Sequence, residues 1–118
     1  MPACTVNDCT IHYHISAAGL ADNVPVLCIH GSGGSLHAWA NQLQMDIPGF
    51  CQIALDLPGH ARSEGRGEEH IQGYVEWIMG FIHSLGFSQC VLAGHSMGGA
   101  IAQLAAVNRP ELFKALIL

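Results

Sequence analysis

The sequence predicts an α/β protein, a doubly wound and mostly parallel sheet led by an N-terminal antiparallel hairpin. Three observations carry that reading. Short apolar runs at 25–29, 51–55, 90–93 and 115–118 lack strict alternation, so they read as strands covered on both faces. Stretches with helical spacing separate them, and right-handed crossovers then place helices on both sides of the sheet. The first three runs each end in a polar, glycine-rich loop, at 30–35, 56–63 and 94–99. Reactive loops of such sheets gather at those carboxyl ends.

The chain of 118 residues is long enough for one core and too short for two ordinary domains. Half of it is hydrophobic and 11% is charged, which agrees with segments buried on both sides. Nine acids against four bases give a net charge of -5 without a basic patch, so nucleic acid is not an expected partner. No apolar run approaches the length of a membrane span. Met1–Thr5 lacks a basic region followed by an apolar stretch, so the expected location is cytoplasmic. Five cysteines without C-x-x-C spacing fit a reduced state, and Cys28, Cys51 and Cys90 read as small hydrophobes within strands.

In chain order, Thr5-Val6, Asn7-Asp8 and Thr10–Ala17 form the hairpin, because Asn-Asp tolerates the positive φ of a tight turn. His12 and His14 share one face of its second strand. They read as solvent-facing strand residues or as a metal pair without a third ligand nearby. Gly19–Asn23 is a turn and 25–29 the first buried strand. Leu36, Trp39, Leu43 and Ile47 then recur roughly at helical spacing, before the strand at 51–55. Ile71, Tyr74, Val75, Ile78, Phe81, Ile82 and Leu85 trace an amphipathic helix that stops at Gly86. After the 90–93 strand a second helix, Gly99 to Asn108, runs up to Pro110. Glu111–Phe113 is a connector, and Ala115 opens a last strand.

The richest stretch is Gly94-His95-Ser96-Met97-Gly98, set between a strand and a helix. There G-x-S-x-G describes a sharp turn with serine at its apex, and glycine at 94 and 98 answers the crowding of the flanking backbone. Serine needs a base to take its proton and a site to receive the developing oxyanion. The Met97 amide, at the start of the helix, is one expected donor. The loop after 25–29 supplies the second, with Ser32 placed to donate and Gly33 the runner-up.

His30-Gly31-Ser32-Gly33-Gly34, Asp56-Leu57-Pro58-Gly59-His60-Ala61-Arg62-Ser63 and Gly94-His95-Ser96-Met97-Gly98-Gly99 together resemble the α/β-hydrolase fold superfamily. The match is to its small esterases, lactonases, C–C hydrolases and haloperoxidase-like enzymes. Ala61 departs from the pattern, since glycine is common there. The resemblance implies a serine hydrolase of carboxylic esters or related small acyl compounds, with Ser96 as nucleophile and Met97 and Ser32 as backbone oxyanion donors. His30, Gly31, Gly33, Gly94 and Gly98 would support the site, and Trp39, Met97 and His95 would line it.

The superfamily's triad runs serine, acid, histidine, the last two beyond the elbow strand. The resemblance therefore implies that 1–118 is the N-terminal part of one hydrolase domain, with the C-terminal half and lid beyond Leu118. Alone it would be nearly inactive. His95 diverges from Ser96 and reads as packing beneath the loop, His60 as a pocket-rim residue, and Asp56 as a brace of its own turn. His70 and His83 have no evident partner. No cofactor motif or metal cluster is present in the sequence. A second reading is a truncated, non-enzymatic assembly module. Its edge at Ala115–Leu118 would self-associate or pair with a C-terminal half.

Overall fold

A computed structural model describes residues 2–118. Six strands form one sheet: β1 (Ala3–Val6), β2 (Cys9–Ile15), β3 (Val24–Ile29), β4 (Phe50–Leu55), β5 (Cys90–Gly94) and β6 (Phe113–Ile117). Their spatial order is β1-β2-β4-β3-β5-β6. β1 and β2 pair antiparallel, as do β2 and β4, whereas β4, β3, β5 and β6 run parallel. The hairpin turn has Asn7 at φ 49° and Asp8 at φ 63°. Two consecutive positive φ values define the type I′ turn, whose twist matches that of the flanking strands.

Alternation along the inner strands divides the core between two faces. Leu27, Ile29, Ile53, Leu55 and Leu92 pack with Val75, Ile78, Phe81 and Ile82 of helix α2 (Ile71–Leu85). Ile101, Ala102 and Ala105 of helix α3 (Met97–Asn108) complete that cluster. Tyr13 meets Phe81 edge to face at 5.5 Å, fastening the hairpin to α2. On the opposite face Cys28, Ala54 and Ala93 pack with Leu36, Leu43 and Trp39. As expected, α2 ends at Gly86, whose φ of 81° lets its amide reach the Ile82 and His83 carbonyls.

The segment after β3 differs from its helical pattern. Leu36–Trp39 is a 3-10 turn and helix α1 covers only Ala40–Leu43, so Ile47 lies outside it and is 36% exposed. Ser35 Oγ caps the turn by accepting from the His37 amide. The far end is closed by Gln52 of β4, whose Nε2 donates to the Gln42 and Met45 carbonyls at 2.7 and 2.9 Å. A side chain from a neighbouring strand thus satisfies carbonyls that a longer helix would have used internally. α3 starts at Met97, two residues earlier than its pattern indicated, and β6 starts at Phe113 rather than Ala115. No helix among the described residues is long and apolar enough to cross a membrane.

Candidate active site

The carboxyl ends of β3, β4 and β5 lie side by side, because β3 pairs with both of the others. The three glycine-rich loops therefore meet. Ser96 stands at the turn from β5 into α3 with φ 58° and ψ −121°. That conformation costs a non-glycine residue about 1–3 kcal/mol and persists only where the surroundings enforce it. Here they do. A Cβ on Gly94 would collide with the backbone of Gly98 and Gly99, and one on Gly98 with the Ile29 and His30 carbonyls. Glycine at both positions lets β5, α3 and the end of β3 close to backbone contact.

The turn leaves the Ser96 side chain exposed at the top of the sheet. Behind it, the Gly98 amide donates to the His95 carbonyl and the Gly99 amide to that of Ser96, both at 2.9 Å. The Met97 amide, first in the helix, has no partner among these turn bonds. Across from it, Gly31 packs directly on Ser96: a Cβ at 31 would lie 3.2 Å from the Ser96 Cβ. The next residues, Ser32 and Gly33, are exposed, and Gly33 has φ 73°. Their amides are likewise absent from the loop's internal bonds, whereas Gly34 donates back to the Gly31 carbonyl at 3.1 Å. The start of a helix and a glycine loop with unpartnered amides thus lie on either side of Ser96.

His30 is fully buried beneath this loop. Its Nδ1 lies 2.7 Å from the Gly31 carbonyl, and its Nε2 accepts from the Leu57 amide at 3.0 Å. A carbonyl can only accept and an amide can only donate, so the ring is neutral with its proton on Nδ1. Burial holds its pKa below the usual histidine range.

Asp56 is also buried. Its Oδ2 accepts from the Arg62 amide at 3.3 Å, the expected bracing of its own turn, while Ser63 Oγ donates to its carbonyl. Its shorter bond runs elsewhere: Oδ1 accepts from the Leu36 amide at 2.8 Å, across to the loop after β3. That partner is twenty residues away in the chain, and no local pattern announces it. The His60 ring lies beside that of His30, tilted by 57° with the centroids 5.1 Å apart.

His95 does not pack beneath the elbow. It is exposed and, with Ala38, Trp39 and Gln42, lines a hollow of about 260 Å³ beside the 3-10 turn. Neighbouring side chains at so sharp a turn diverge, and the space beneath Ser96 is already filled by backbone. Trp39 is half-buried and borders a second, apolar hollow of about 510 Å³ against β3, β5 and β6. Met97 packs partly into the large core. No cluster of three or more His, Cys, Asp or Glu side chains is arranged for a metal among the described residues.

The profile of the alpha/beta hydrolase fold matches residues 24–118. The chain belongs to that family. An (E)-2-((N-methylformamido)methylene)succinate hydrolase of Acinetobacter baylyi is 35% identical over 111 residues, covering 93% of this chain and 41% of the relative. Epoxide hydrolase 4 of Mus musculus is 33% identical, covering 96% of this chain and 32% of the relative. The crystal structure of a Bacillus megaterium epoxide hydrolase superposes with a TM-score of 0.84 at 30% identity. It covers 98% of this chain and 40% of that one. The α/β-hydrolase relatives are hydrolases, and this chain spans less than half the length of each.

Proposed function

We propose that residues 1–118 form the nucleophile-bearing, N-terminal part of a serine hydrolase acting on carboxylic esters or related acyl compounds. The observation that carries this reading is Ser96 itself. A strained serine stands exposed between a helix N-terminus and a glycine loop with unpartnered amides. Ser96 Oγ attacks the carbonyl carbon and its proton passes to a histidine outside residues 1–118. The carbonyl electron pair moves to oxygen, held by the Met97 and Ser32 amides. Collapse of that intermediate expels the alcohol, which takes the proton from the histidine, and leaves an acyl-Ser96. Water then reverses the sequence and releases the acid. The acid that orients the histidine also lies outside these residues, so the 118-residue chain alone turns over slowly.

A fluorophosphonate probe tests this reading. In the longest polypeptide of the gene that contains residues 1–118, labelling depends on Ser96 and vanishes in Ser96→Ala. Labelling that is equal in both sinks the proposal.

The outer edge of β6 favours a second reading, an assembly module. Leu116, Ile117 and Leu118 are 37%, 56% and 69% exposed, and Ile117 lines the apolar hollow. Such an edge pairs with a second copy or with a separate C-terminal half. Sedimentation decides: a monomer across micromolar concentrations counts against self-association.

A further inference from the structure

The loops after β3 and β4 are bonded to each other twice, in opposite directions. The Leu57 amide of the β4 loop donates to the His30 ring at the end of β3. The Leu36 amide, at the far end of the β3 loop, donates to the Asp56 carboxylate at the end of β4. Between those two fastenings lie Gly31 to Ser35, which include the unpartnered Ser32 and Gly33 amides. His30 also grips the Gly31 carbonyl through its other nitrogen. The loop is therefore held at its start, from within, and at its exit.

From this reciprocal bonding we infer that His30 and Asp56 are positioning residues, a proton-sensitive latch that fixes the 31–35 loop against the 56–63 loop. The sensitivity follows from the bonding roles. Leu57 can only donate, so Nε2 must stay bare; a proton there sets N–H against N–H and breaks the fastening. The groups that face the ring are few. Asp56 favours a proton on it, while His60, with Tyr74 beyond at 6.4 Å from His60, opposes one. Helix α3 carries no ionisable side chain, and His95 at the elbow is exposed. Burial acts against protonation more strongly than these neighbours do. The latch therefore stays closed at neutral pH and opens only on acidification below the usual histidine range. Its bearing on an oxyanion site rests on the hydrolase reading; the latch itself does not.

The test reads the latch without catalysis. Nitrogen-15 spectra of the 118-residue chain give the His30 tautomer, and amide exchange gives the protection of Leu57 and Leu36. At pH 7.5 His30 carries its proton on Nδ1. On acidification the Leu57 protection factor falls up to about tenfold, the worth of one net hydrogen bond, in step with His30 titration. His30→Gln supplies an acceptor that does not titrate, so its Leu57 protection stays flat. If the chain unfolds in acid before His30 titrates locally, His30→Gln moves the acid midpoint to lower pH. Asp56→Asn retains an oxygen for Leu36 and keeps that amide protected, whereas Asp56→Ala exposes it. A proton on Nε2 at pH 7.5, or a His30→Gln chain with the wild-type acid response, overturns the inference. Loss of Ser96 labelling with the latch intact would instead sink the hydrolase reading alone.

Discussion

Gly31 rests against Ser96 so closely that a Cβ at position 31 would lie 3.2 Å from the Ser96 Cβ and 3.7 Å from its Oγ. The same atom would be 3.4 Å from the His95 carbonyl. β3 thus delivers its loop onto the apex of the β5 turn, and even a methyl group at 31 would press on its neighbours.

Gly31→Ala is the direct probe of that contact. The neighbours must give by a few tenths of an ångström, so the stability cost is about 1–3 kcal/mol. The chemical cost is larger, since displacing a reacting hydroxyl by part of an ångström lowers rates by about 10–100-fold. Fluorophosphonate labelling should slow by that factor while circular dichroism stays native. Unchanged labelling would mean that Gly31 does not set the position of Ser96.

The family resemblance departs at Ala61, and the structure shows what that departure costs. Ala61 has φ 47°, a left-handed conformation that alanine adopts at about 1–2 kcal/mol. Ala61→Gly removes the strain but adds freedom to the unfolded chain, worth about 0.4–1 kcal/mol the other way. The net expectation is a gain of up to about 1.5 kcal/mol, read as a higher denaturation midpoint at constant m-value. A lower midpoint would show that the Ala61 methyl contributes packing that outweighs the strain.

How much could be read from residues alone depended on the range of the interaction. The Asn7-Asp8 turn, the α2 stripe with its Gly86 stop and the Gly94/Gly98 crowding are local, and each is legible in a few consecutive residues. The 36–47 segment was not legible. Leu36 and Leu43 are buried as a helical pattern requires, but Gln52 from another strand satisfies the carbonyls of Gln42 and Met45 and stops the helix. The local pattern marks Asp56 as a brace of its own turn, which is half of its bonding. Its link to Leu36, like that of His30 to Leu57, joins residues brought together by strand pairing. The outward placement of His95 follows from the three-dimensional turn, which sequence spacing does not encode.

Reading the cysteines as small hydrophobes has a chemical consequence. Burial pushes the thiols of Cys28 and Cys90 up to about 12, so both are protonated at pH 8. Cys9, in the hairpin, is only partly buried. Iodoacetamide under native conditions should alkylate Cys9 while sparing Cys28 and Cys90, as read by peptide mass spectrometry. Full denaturation should equalise all three. Fast native modification of Cys28 or Cys90 would contradict the packing of β3 and β5.

An acylating Ser96 would carry its acyl group covalently, and intact-protein mass spectrometry detects that adduct. The longest polypeptide of the gene that contains residues 1–118 is incubated with an activated acetate ester and quenched in acid. The expected result is a mass gain of one acetyl group, mapped to the peptide carrying Ser96 and absent in Ser96→Ala. Turnover of the ester without a Ser96 adduct, or an adduct that survives Ser96→Ala, would contradict it.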